Sequence, residues 1–123
     1  MFPDAEALVV SYLRPLVAPV KVATRVPAQR PDALVRVVRT GGSLRSVAHE
    51  DAQITVECWA TDSVAASDLA RQVAAALEVM DVPGGHVPQG PPGWVGRPAY
   101  LEDPIAGVPR YVMTVLVRLR RLP

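Results

Sequence analysis

The chain has 123 residues, 50% of them hydrophobic and 20% charged, with a net charge of +1 from 13 Lys+Arg against 12 Asp+Glu. That is one domain with enough apolar residues for a core, which excludes disorder throughout. The near-neutral balance gives no case for a nucleic-acid binder held by counterion release. The single cysteine, Cys58, cannot form an internal disulfide and fits a reducing cytoplasm. The opening MFPDAEALVV carries acids where a secretory leader carries basic residues, so no signal peptide is expected. The longest apolar run, YVMTVLV, is too short to span a bilayer. Twelve of the 13 basic residues are arginine, which together with the alanine and proline load is associated with GC-rich coding.

Residues 3–17 read as a helix. Pro3 and Asp4 suit its first turn, and Ala5, Leu8, Val9, Tyr12, Leu13 and Leu16 recur at helical spacing. Pro15 removes a helical hydrogen bond, so fraying is expected by Leu16 or Val17. Three strands follow, at 20–26, 33–40 and 52–61, the second ending at Gly41 and Gly42. The link 41–51 is longer than a tight hairpin needs and reads as a projecting, mobile loop. Residues 62–80 form a second helix capped by Asp62 or Ser63, with Leu69, Val73, Ala76, Leu77 and Met80 inward and Ala66, Ala70 and Ala74 behind. Residues 81–109 hold seven of the 13 prolines and six of the eight glycines, an irregular arm with a short strand near 99–102. Residues 109–122 are a long last strand. The expectation is a single α+β domain over 1–123, order α-β-β-β-α-(β)-β, with two helices on one face of a mostly antiparallel sheet.

The outward face of that sheet is unusual. Ile54, Val56, Cys58 and Ala60 point inward, which puts Trp59 on the face that should be wet. On the last strand Tyr111, Met113, Val115, Val117 and Leu119 share the inner face, leaving Val112 and Leu116 outward between Arg110 and Arg118. Something must cover these side chains, either the proline arm folding back or a neighbouring subunit. Trp59, Arg110, Val112 and Leu116 are therefore the candidate subunit contacts. Arg45 and His49 in the loop, with Trp94 and Arg97 in the arm, are the candidate axial contacts. Tyr12 and Tyr111 are assigned to the core.

Chemistry is sparse. His49 and His86 sit in expected loops with no metal-ligand spacing to each other or to Cys58. PGGHVPQGPPG follows a helix and lacks the strand–turn–helix setting of a phosphate cradle. No serine sits in a nucleophile elbow. Glu102 and Asp103 are adjacent, so their side chains diverge in an extended chain. The terminal RLRR reads as a solvated strand end. No catalytic, cofactor or metal site is expected.

A more specific likeness lies in ITVECWATDSVAASDLARQVAAAL, the Gly/Pro arm after it, and LEDPIAGVPRYVMTVLVRLR, together with the opening FPDAEALVVSYLRPLV. This arrangement resembles the tail terminator (tail-completion) proteins of long-tailed actinobacteriophages. It has a strand ending in an aromatic, an Asp/Ala-rich helix, and a turn from Asp103 through Pro104, Gly107, Pro109 and Arg110 to Tyr111. The resemblance covers nearly the whole chain, and its motifs are soft. It implies a structural protein of the virion, made in the host cytoplasm. It also implies a hexameric ring at the head-proximal end of the tail, touching the major tail tube protein on one side and a head–tail connector or stopper on the other. No sequence-specific nucleic acid and no membrane are implied as partners. Other readings stand beside it: another neck protein such as an adaptor or stopper, or a small non-viral ligand-binding domain whose pocket would use Tyr12, Arg36, Glu57 and Trp59. An enzyme is the remaining class.

Overall fold

Two helices lie on one face of a curled seven-stranded sheet in the computed structural model, which is described here for residues 1–90, 94–104 and 107–122. The elements run α1 (Ala5–Val17), β1 (Lys21–Ala23), β2 (Leu34–Leu44), β3 (His49–Trp59), α2 (Ser63–Glu78), β4 (Asp81–Val82), β5 (Gly85–His86), β6 (Ala99–Tyr100) and β7 (Arg110–Arg120). The strand order is β1-β2-β3-β7-β5-β4, with β6 also on β7, and only the β1–β2 pair is parallel. The α+β architecture expected from the sequence is the one found.

Local chemistry starts both helices. The Asp4 carboxylate accepts from the Ala7 amide at 3.2 Å, and Asp62 accepts from Ala65 at 2.8 Å, so each helix opens on an acidic cap. Pro15 lies inside α1, which still runs to Val17. The carbonyl that Pro15 leaves without a donor belongs to exposed Ser11, where water can serve it. The buried residues of α2 are Ala66, Leu69, Ala70, Val73, Ala74 and Leu77. The alanines expected behind the core stripe thus face inward and let α2 approach its neighbours. The phenol of Tyr12 bridges the helices, donating to the Ala76 carbonyl at 2.5 Å, and its burial raises its pKa.

The inner layer joins Val35 and Val37, Ile54, Val56 and Cys58, and Met113, Val115, Val117 and Leu119 to both helices. Burial pushes the Cys58 thiol up to about 12, so it stays protonated at neutral pH and acts as a small apolar side chain.

Three expectations are corrected. The stretch 41–51 is not an open loop: β2 continues through the glycines to Leu44, and β3 begins at His49. A bulge between Arg39 and Gly41 shifts the register, and Gly42 at φ +138° brings the strands so close that a Cβ there would lie 2.3 Å from the Asp51 carbonyl oxygen. The backbone amides of Arg45 and Ser46 close the hairpin on the His49 carbonyl, both at 3.0 Å. The first strand is shorter than expected, covering only Lys21–Ala23. The arm also has more order than its composition suggested, with β4 and β5 forming a small hairpin and β5 and β6 both pairing with β7. Pro91, Pro92 and Gly93 of the expected arm 81–109, Ile105 and Ala106 of the expected turn into the last strand, and Pro123 lie outside the described residues.

Candidate functional site

The arm lies along the second edge of β7. The Leu116 amide donates to the Trp94 carbonyl at 2.9 Å, Gly96 donates to Thr114 at 2.8 Å, and Leu101 donates to Arg110 at 2.9 Å. Val95 bridges to Val115 in the same antiparallel sense. The arm therefore extends the sheet sideways, then turns over one end of the outward face.

That end is where Trp59 sits. The indole is 2% exposed, so the chain itself covers it. Its Nε1–H donates to an Asp103 carboxylate oxygen at 3.1 Å, and the Arg30 guanidinium lies 4.9 Å above the ring. Arg30 also pairs with Asp103 at 3.4 Å. The Arg110 guanidinium approaches the same ring at 5.9 Å, donates from Nε to the Leu101 carbonyl at 2.8 Å and pairs with Glu57 at 2.8 Å. The other Glu57 oxygen takes Arg36 at 2.6 Å. Of the two covers weighed for Trp59, the arm folding back accounts for its burial. Trp59 and Arg110 thus have partners within the chain, while Val112 and Leu116 remain half-buried on the outward face beside exposed Thr114.

A second polar cluster sits toward the hairpin. Asp51 accepts from Arg118 at 2.8 and 3.3 Å, with Arg45 at 3.5 Å. Hydrogen bonding from Arg118, reinforced by the charges of Arg118 and Arg45, outweighs burial and holds the Asp51 carboxyl below the ordinary carboxylate range. The depressed value fixes the sign. The pair's stabilisation is fully present above the ordinary carboxylate range and is lost as pH falls through the folded-state value. Asp51→Asn is expected to lower stability at pH 7 by about 1–3 kcal/mol and to converge on the wild type only at acid pH, below the ordinary carboxylate range. Thermal melts of both proteins from pH 7 to below that range check this, and parallel curves would remove the assignment.

The remaining sequence candidates are dispersed. Arg45 is exposed in the hairpin turn, and His49 is half-buried at the start of β3 rather than in a loop. Trp94 packs part-buried against the core, lining an open groove of about 480 Å³ with Glu78, Val87, Gln89 and Arg97. Arg97 pairs with Glu78 at the end of α2. Trp94 and Arg97 thus share one region, Arg45 and His49 another. His86, expected in a loop, is in β5. Burial first and then the charge of Arg120, whose guanidinium lies 3.1 Å from Nδ1, lower its pKa.

Sequence reasoning missed Arg30 and Asp103 as covers of Trp59, and Asp51 with Arg118 as a pair. Only strand register could have revealed the second, since Asp51 stands directly opposite Arg118. Tyr12 lies in the helical layer, whereas Arg36, Glu57 and Trp59 belong to the outward face, so the four do not converge on a ligand pocket. Among the described residues no group of three His, Cys, Asp or Glu side chains is placed to hold a metal ion. Among the described residues no helix is long and apolar enough to cross a membrane.

No curated protein matches the chain. The family of phage tail termination proteins matches residues 1–93, a span that takes in both helices, the hairpin and Trp59 but stops short of the turn into β7. With 93 of 123 residues matched, the chain belongs to that family, a family of phage structural proteins rather than a known enzyme family, and is by that membership a component of a virion.

Proposed function

We propose that the chain closes with copies of itself into a ring, hexameric as the resemblance implies, that caps the head-proximal end of the tail tube. The ring stops tube polymerisation and joins the tail to the neck. Family membership over residues 1–93 is the observation that carries this reading. The surface is compatible with it. A ring needs apolar surface outside the monomer core, and Val112 and Leu116 on the outward face, with exposed Leu44 and Val47 at the hairpin, provide some. In this reading Val112 and Leu116 touch a neighbouring subunit, while Trp59 and Arg110 shape that surface from within. The two remote regions, Arg45 with His49 and Trp94 with Arg97, contact the tail tube protein and the head-side connector along the ring axis. The formed hairpin presents a preset surface in place of the mobile loop expected from the sequence.

The test is negative-stain electron microscopy of lysates from the phage with this gene deleted. Overlong, variable tubes without heads are expected. Tails of normal length lying beside finished, unjoined heads would move the protein to the head side of the neck. Ordinary infectious virions would overturn the reading.

A further inference from the structure

Among the described strands the sheet has edges at β1 on one side and at β4 and β6 on the other, and the β1 and β6 edges are of opposite character. At one end, β1 offers a three-residue edge beside the end of α1, with an open groove of about 600 Å³ lined by Pro15, Ala18, Pro19 and Val20. Leu16 and Val26, near the groove's residues in sequence, are also exposed. Three cations stand in this segment, Arg14, Lys21 and Arg25. All are exposed, and none has an ion pair or side-chain hydrogen bond among the described residues. Every other basic side chain, apart from Arg121 on the Val47 carbonyl and the Phe2 ring, has an acidic partner. Three of the four Lys and Arg side chains without an acidic partner among the described residues thus stand at one edge.

The opposite edge carries the complement. There β6 is a two-residue strand paired with β7 and with no second strand partner among the described residues, and Tyr100 and Leu101 are 48% and 57% exposed. Glu102 follows them, exposed and without a partner among the described residues. The other unpartnered acid, Asp32, has only half-buried Pro31 and Ala33 beside it. β1 and β6 are separated by β2, β3 and β7, so the two edges lie about 20 Å apart across the sheet. A head-to-tail contact needs two different, complementary patches on one chain, and edges at opposite ends of a sheet meet that need.

We propose that these edges are the two halves of a contact between copies of this chain, residues 100–102 of one subunit docking on the β1 edge of the next. Tyr100 and Leu101 cover the groove of Pro15, Pro19 and Val20, and the Glu102 carboxylate sits among Arg14, Lys21 and Arg25. The edges add strand to strand, and their shortness with charges alongside prevents indiscriminate pairing. This rests on the ring reading and adds to it the surfaces that meet.

The test places a photo-crosslinking phenylalanine at Leu101 in virions and maps its products by mass spectrometry. Cross-links to residues 14–26 of a second copy are expected. Cross-links between copies at other positions, or none between copies, would overturn this contact and leave the ring to be decided by the electron microscopy of the deletion phage. In parallel, Glu102→Arg is expected to weaken assembly at least about tenfold, and Lys21→Glu with Arg25→Glu in the same chain to restore it. Unchanged assembly of Glu102→Arg, with the free protein folded as judged by circular dichroism, would mean that the cations only keep the edge soluble, and would overturn the proposal.

Discussion

Replacing Trp59 with alanine is expected to lower the stability of the free, dilute chain by about 3–5 kcal/mol, the range for truncating a large buried aromatic. The ring is 2% exposed and stands opposite fully buried Leu34 across the β2–β3 ladder, so truncation leaves a void that the strands cannot close without moving. Two further losses add to it. Asp103 loses the indole N–H at 3.1 Å, and Arg30 loses the face it lies on at 4.9 Å. Trp59→Phe separates these effects, because it keeps most of the ring and removes the N–H, and it is expected to cost about 1–2 kcal/mol. Urea unfolding followed by circular dichroism is the measurement, with a lower midpoint at an unchanged slope as the expected result. If Trp59→Ala unfolds within about 0.5 kcal/mol of the wild type but fails to assemble, the indole belongs to a subunit contact and the intrachain cover is incidental.

Periodicity made some of this fold legible and concealed the rest. The two helices and the alternation of β7 could be read because side-chain spacing alone encodes them, as could the inward row Ile54, Val56 and Cys58. Gly41 and Gly42 misled because glycine is scarce within strands. Here Gly42 serves close approach to the Asp51 carbonyl, and the strand runs through it. The arm was one of two covers the sequence left open for Trp59, but the residues that do the covering were not legible. Asp103 lies 44 residues away in a segment whose composition says only that it is irregular, and no local pattern specifies which edge such a segment follows. The terminal arginines were read as solvated, and the outward arginines and acids were left without pairings, because alternation tells the face of a residue and nothing of its cross-strand neighbour. Once register is fixed, Arg36 stands opposite Glu57 and Arg118 opposite Asp51, and the outward face becomes a set of pairs.

Glu57 takes two of these arginines, and Glu57→Ala is expected to destabilise the chain by about 3 kcal/mol, the low end for removing one partner from a buried ion pair. The low end applies because the Arg36 side chain is 35% exposed and recovers water, while Arg110 at 15% recovers little. The substitution leaves half-buried Arg110 with only the Leu101 carbonyl as acceptor among the described residues, at 2.8 Å from Nε. That bond and the reciprocal one, from the Leu101 amide to the Arg110 carbonyl at 2.9 Å, tie the arm to β7. An unneutralised guanidinium there favours opening, so the Leu101 amide should exchange faster in Glu57→Ala by more than the global loss of stability explains. Glu57→Gln keeps an acceptor for one arginine and should lie between wild type and alanine. Hydrogen exchange at Leu101 separates two roles that stability alone cannot. If its protection falls only in step with global unfolding, Glu57 holds β2 to β7 and nothing more. If it falls further, Glu57 acts through Arg110 to keep the arm over Trp59, and the outward face keeps its shape because one carboxylate neutralises two arginines.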